Sequence, residues 1–391
     1  MHHDTEFGFA EPDHSFVPAP AADEADRIAR LRLIRSRRVG PATYLRLMGA
    51  HGGARAALAA LPDLARAAGV DGYAPCPEAV ALAEWRAAQR AGAKMICLGD
   101  RDYPAALAEI ADAPPLLWAK GRIELLHRPM LALVGTRNAS AMGTRMARRL
   151  AGDLGAAGHV IVSGLARGID ALAHRAALDT GTIAVMAGGL DCIYPAENID
   201  LAAQIAARGL MISEMPFGLD PQARHFPRRN RIVSGLSRAV IVVEAATRSG
   251  SLITARMALD QGREVMAVPG HPMDARAGGG NLLIRDGAIL VRGAEDVIEA
   301  LGGPVTAPPI IARPAIAQAQ TAPATPGLSP APLPDGGLEG AILTCLGAAP
   351  VAEDQLIRDL GHPPRKIAQA LAVLEMAGRI NRAGGGLITR L

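Results

Sequence analysis

Between Phe226 and Arg238 the chain reads FPRRNRIVSGLSR, with Arg228, Arg229, Arg231 and Arg238, one phenylalanine and no acidic residue. Arg224 stands just before it. Guanidinium forks match phosphate oxygens, and a ring among them offers a face for a base. Aromatic residues make up only 3% of the chain, so this ring is a scarce one. The same composition also fits a solvated basic turn. The neighbouring loops have to decide between the two.

Those loops each follow a short apolar run. Met130–Val134 leads into Gly135-Thr136-Arg137-Asn138-Ala139-Ser140. Its glycine lets the backbone turn, its N–H groups can face an anion at a helix start, and Arg137 adds a fork. Val160–Val162 leads into Ser163-Gly164-Leu165-Ala166-Arg167-Gly168, then Asp170 and His174. Ser163, Asp170 and His174 are triad residue types, but a nucleophile elbow needs GxSxG and Ile161-Val162 precede the serine. Asp170 is expected to cap a helix, and His174 to be a satisfied, partly buried histidine. Gly188-Gly189 follows Thr182–Ala187, and Arg248-Ser249-Gly250-Ser251 follows Ala239–Val243. The Ser-Gly-Ser step at a helix start suits phosphate or carboxylate.

Several chemistries are missing. GxGxxG and GxxxxGK[ST] do not occur, which argues against a dinucleotide fold and a P-loop NTPase. No paired carboxylates, metal-ligand cluster or activated nucleophile accompanies the loops. Backbone donors and arginines without acid–base partners predict a surface for a polyanion, with no catalytic residue, metal or cofactor. Net charge is +3, so such a surface is local rather than global. Cys76, Cys97, Cys192 and Cys345 are far apart, as expected of reduced thiols in the cytoplasm. The N-terminus has no signal-peptide pattern, and no apolar stretch approaches the roughly 20 residues of a membrane span.

These loops need a scaffold. Apolar runs alternate with helical stretches such as Gly143–Ala157, Asp170–Leu178, Asn198–Ala207 and Ser251–Gln261. That alternation predicts a parallel sheet covered on both faces, a doubly wound Rossmann-like α/β domain over residues 93–301. Ligands of such sheets bind beyond the carboxyl ends of the strands. Residues 1–22 are expected to be a disordered tail. Residues 23–92 read as a helical unit with turns at Gly40-Pro41 and His51-Gly52-Gly53, and with helices at Ala54–Leu61 and Leu64–Ala68. Such a unit fits a DNA-backbone hairpin or a protein-interaction module. Residues 302–336, rich in proline and alanine, read as a linker. Residues 337–391 read as three helices and a hairpin, a winged helix for DNA or a protein partner.

In order, GTRNASAMG, SGLARGIDALAH, GGLDCIYPAEN, SEMPFG, FPRRNRIVSGLS, VVEAATRSGSLITA and AVPG resemble the DNA-processing protein A family, also called DprA or Smf. The resemblance covers about 94–300, including Tyr103–Leu107 and Pro114–Gly121. Its relatives often carry a sterile-alpha-motif-like (SAM-like) helical domain and a winged helix at the flanks. It implies a non-catalytic protein that binds and protects incoming single-stranded DNA, forms a homodimer and loads RecA recombinase in natural transformation. Single-strand-binding protein is a further candidate partner. Carried over by motif, Arg137 meets a phosphate, and Gly135 and Thr136 shape its turn. Phe226 contacts a base, Arg228, Asn230 and Arg231 shape and charge the pocket, and Ser163, Gly164 and Gly168 line it. Several relatives have a lysine where Ala223 stands, so Arg224 is expected to substitute for it in part.

Two other readings are weighed. Glu244, Arg248 and Ser249–Ser251 superficially resemble a nucleotide phosphoribohydrolase site, but the PGGxGT pattern of those enzymes is absent. A duplex-DNA regulator would act through the winged helix instead.

Overall fold

The structure, a computed structural model, describes residues 17–303, 337–346, 351–377, 379–383 and 387–390. The expected tail over 1–16, the linker over 304–336 and the glycine turn at 384–386 lie outside the described residues.

Four helices form the N-terminal unit: α1 (Glu24–Arg35), α2 (Pro41–His51), α3 (Ala54–Ala67) and α4 (Glu78–Arg90). The side chain of Asp23 caps α1 by accepting from Asp26 N at 2.6 Å. Gly52 adopts φ 73° at the turn between α2 and α3. Two expectations change here. α3 runs unbroken through Pro62, because Leu61 and Ala65 bury on one face and hold both halves against the same core. Residues 18–21 are also held against the fold rather than part of a tail. Ala21 N donates to Asp100 Oδ1 at 3.0 Å, and Arg30 Nη2 donates to Ala19 O at 2.8 Å.

The central unit alternates strand and helix. It contains β1 (Lys94–Cys97), α5 (Ala105–Ala108), β2 (Leu116–Gly121), β3 (Met130–Val134), α6 (Ala141–Ala156), β4 (Val160–Ser163) and α7 (Ile169–Ala176). It continues with β5 (Thr182–Val185), α8 (Ile199–Arg208), β6 (Leu210–Ser213), α9 (His225–Leu236), β7 (Ala239–Val242) and α10 (Gly250–Asp260). β8 (Glu264–Ala267), α11 (Gly278–Arg285), β9 (Ile289–Leu290) and α12 (Ala294–Ala300) complete it. The sheet order is β1-β2-β6-β5-β4-β3-β7-β8-β9. Every residue of β3, β4, β5, β6 and β7 is buried, which explains their unbroken apolar sequence.

The sheet is mixed rather than wholly parallel. β3 to β9 pair in parallel, but β2 is antiparallel to β6, and β1 to β2. β1 and β2 lack the strand–helix–strand spacing from which parallel pairing is read. The order reverses between β3 and β7, so their following loops diverge and leave a crevice at the carboxyl edge.

The C-terminal unit holds α13 (Gly337–Cys345), β10 (Val351–Ala352), α14 (Glu353–Leu360), α15 (Pro364–Met376), β11 (Ile380–Ala383) and β12 (Leu387–Arg390). It is a winged helix around Ile342, Leu356, Ile367, Leu371 and Ile388. Val351-Ala352, just before α14, pairs with β12. Among the described residues, no helix is long and apolar enough to cross a membrane.

Candidate nucleic-acid interface

The arginine-rich stretch is a helix, not a turn. α9 buries Ile232, Val233 and Leu236 against the sheet. Helical spacing then sorts its polar residues by face. Phe226, Arg229, Asn230 and Val233 stand at i, i+3, i+4 and i+7 and line one cleft at the crevice. Arg228 and Arg231 border a different cavity, of about 290 Å³, towards the N-terminal unit.

The cleft at the crevice measures about 620 Å³. Gly135 and Arg137 line it after β3, Gly164 and Asp170 after β4, and Ser249, Gly250 and Ser251 after β7. The guanidinium carbon of Arg137 lies 5.4 Å from the Phe226 ring centroid. Tyr194 meets the same ring edge-on, with centroids 5.9 Å apart and planes at 62°. Arg137 is exposed and Phe226 half-buried, so both reach solvent from the cleft.

Tight packing sets the Arg137 loop. Thr136 N donates to Glu244 O at 2.6 Å, and Ile169 N donates to Thr136 O at 3.2 Å. A Cβ on Gly135 would come within 2.5 Å of the Ile169 side chain. Gly168 has φ 71°, and a Cβ there would strike the Thr136 carbonyl. Thr136 and Gly168 thus shape the loop and do not line the cleft. The carboxylate of Glu244 accepts from Ser140 N at 2.9 Å, and Ser140 Oγ accepts from Gly143 N at 2.9 Å to cap α6.

At the cleft floor, Asp170 accepts from Gly164 N at 3.1 Å and Ala166 N at 3.4 Å. Burial pushes its carboxyl above the usual range, against the pull of Arg229 and these amides. Arg229 is 6% exposed and donates from Nη1 to Val185 O at 2.9 Å, while its Nε has no partner. Burial lowers its pKa. Sequence reading left Arg229 out of the site. Counting three residues on from Phe226 along a helix is the signal that finds it.

The other candidates go elsewhere. Ser163 is fully buried, and its hydroxyl donates to Leu133 O at 2.6 Å, so it ties β4 to β3 and does not line the cleft. His174 is fully buried too. Thr182 Oγ1 donates to Ile161 O, so it accepts from His174 Nδ1–H at 2.7 Å, and Nε2 is left without a partner. Ser163 and His174 are therefore not joined as nucleophile and base. Arg231 is 7% exposed and pairs with Glu214 and Asp112, behind α9 and away from the cleft. Arg228 is exposed on that same side, and Arg224 is exposed at the helix start, where Ala223 rather than Arg224 lines the cleft. Among the described residues, no three His, Cys, Asp or Glu side chains group as metal ligands.

Residues 94–302 match the family described as DNA recombination-mediator protein A. Residues 24–87 match the DprA-like N-terminal HHH domain, and 322–386 the DprA winged helix domain. The DNA processing protein DprA of Bacillus subtilis is 47% identical over 213 residues, which is 54% of this chain and 72% of that protein. DNA processing protein A from Streptococcus pneumoniae is similar in structure, with a TM-score of 0.59 and 36% identity over 71% of this chain and 98% of that one. DNA processing protein A from Helicobacter pylori, whose structure concerns its single-stranded DNA binding mode, gives a TM-score of 0.50. It is 32% identical and covers 53% of this chain and 95% of that one.

Proposed function

Since this chain belongs to the DNA recombination-mediator protein A family, we propose that it binds single-stranded DNA in the cleft at the β3–β7 crevice. The observation that carries this reading is Arg137 set 5.4 Å from the Phe226 ring centroid in a cleft that the buried Arg229 also lines. A base can stack on Phe226 while Arg137 holds an adjacent phosphate. Asn230 and Gly164 complete the wall, and Arg229 sets the charge of the floor. Gly135, Thr136 and Gly168 hold the Arg137 loop, and Arg224 and Arg228 add charge along the strand's approach. In this reading the protein acts in the cytoplasm as a homodimer, protects incoming strands and loads RecA onto them.

A binding role rather than catalysis is supported by where the reactive side chains are spent. Ser163 bonds a strand carbonyl, His174 a threonine, and Glu244 a helix start. Stacking tolerates any base, and phosphate contacts release counterions, so binding should be salt-dependent and weakly sequence-selective.

The test is a gel shift with single- and double-stranded DNA, with and without RecA, on wild type and Arg137→Ala. Preference for single strands, and uniform weakening by the substitution with a salt slope shallower by about 0.7, support the reading. An unchanged titration for Arg137→Ala removes it.

A further inference from the structure

The back of α9 is packed into a polar junction. Arg231 Nη2 donates to Glu214 Oε2, and Arg231 Nε lies 3.2 Å from Asp112 Oδ2. Glu214 follows β6, and its backbone carbonyl accepts from Arg35 Nη2 at 3.1 Å. Arg35 ends α1 in the N-terminal unit. It grips Glu84 of α4 through two bonds, of 3.0 and 2.8 Å. Glu84 Oε1 also accepts from Trp118 Nε1 on β2 at 2.7 Å. Beside this chain of bonds runs a row of rings. Trp85 and Trp118 have centroids 6.1 Å apart, and Trp118 and Phe217 5.6 Å. Phe217 lies in the loop that continues through Pro221 and Ala223, both on the cleft, into α9.

This junction is a poor source of stability. Glu214 Oε1 and Arg231 Nη1 are buried without partners. A half-satisfied buried pair gains little over an apolar one. What a two-pronged arginine contact does supply is geometry. Arg231 sits five residues after Phe226 on one rigid helix, so whatever fixes Arg231 fixes the rotation of the cleft face.

We infer that Arg35 and Glu214 are positioning residues for the cleft: through Arg231, the N-terminal helical unit sets the rotation of α9 and so the places of Phe226 and Arg229. The inference rests on the DNA-binding reading of that cleft. It gives the helical unit a task at the cleft without any contact between that unit and DNA.

The experiment uses the full chain, a fluorescent single-stranded oligonucleotide and the variants Arg35→Met, Arg35→Lys and Arg137→Ala. Methionine keeps much of the apolar stem and removes the fork. Arg35→Met should bind about tenfold more weakly, with the wild-type salt slope, since no phosphate contact is lost. Arg35→Lys should recover part of the loss, because an ammonium reaches Glu84 but cannot bridge it to the Glu214 carbonyl. Trp85 and Trp118 are the only tryptophans in the chain, and neither lines the cleft. Their emission should therefore change when DNA binds wild type and not when it saturates Arg35→Met. The wild-type emission test needs no folded variant. Wild-type affinity in Arg35→Met, a salt slope reduced as in Arg137→Ala, or a DNA-silent tryptophan signal in wild type would each overturn the inference. If Arg137→Ala also binds normally, it is the DNA-binding reading that has failed.

Discussion

Gly164 and Arg229 compete for one place: the guanidinium of Arg229 lies where a Cβ on Gly164 would stand. Arg229 cannot withdraw freely, because its Nη1 is tied to Val185 O at 2.9 Å in a buried setting.

Gly164→Ala should therefore destabilise the fold by about 1–3 kcal/mol through overpacking, and weaken single-strand binding with it. Urea unfolding and an oligonucleotide titration read the two effects. Gly152 is the control, since it lies within α6 and a Cβ there would meet nothing within 4 Å. Alanine at 152 should be neutral or stabilising by up to about 1 kcal/mol. Equal losses at the two glycines would mean that the packing against Arg229 is not the cause.

Phe226→Ala should remove about 1–3 kcal/mol of binding while leaving the salt slope intact, because the lost ring carries no charge. Phe226→Trp should retain most of the affinity. A shallower salt slope in the alanine variant would show instead that Arg137 had lost its position with the ring.

Acid should unfold the protein partly through His174, whose burial pushes its pKa down to about 3. Above about pH 6.5 the histidine is neutral in both folded and unfolded chains. Between there and about pH 3 only the unfolded chain takes up the proton, so stability falls as pH falls, by roughly 4 kcal/mol across the window. Asp170 and Glu214, with pKa values raised by burial, act in the opposite sense and lose stabilisation as pH rises. The readout is thus a difference. His174→Asn should show a shallower stability–pH slope than wild type between about pH 6.5 and 3, and parallel curves would count against the assignment.

Much of this molecule is legible in its sequence. The unbroken apolar runs of β3 to β7 mark a covered sheet, and residue type and loop position single out Gly135, Arg137 and Phe226 as candidates, while the roles proposed for them come from the family resemblance. The misses within α9 have a common cause. FPRRNRIVSGLSR looked like a turn because its arginines hid the apolar spacing of Ile232, Val233 and Leu236. Once it is a helix, the arginines cannot all face one way. Arg231 leaves the cleft, and Arg229 enters it. Ser163 departs from its expected place for a different reason, since it is the last residue of a buried strand and its hydroxyl reaches across to Leu133 O on the neighbouring β3 instead of the cleft. The antiparallel pair β1–β2 left no trace in a spacing rule built for strand–helix–strand units.

The two-sided character of α9 constrains how this protein can change over time. An extra residue in the exposed turn over 222–224 leaves the phase of the helix itself unchanged. An extra residue between Phe226 and Arg231 rotates everything after it by about 100°. The side chain meant for Glu214 would move to the position that Ile232 now holds against the sheet, and the packing of Ile232 and Val233 would go out of phase. Substitutions along the exposed edge of α9 can accumulate, but its length cannot drift. Insertions and deletions in relatives that keep both the cleft and the helical unit should therefore fall before His225 or after Leu236.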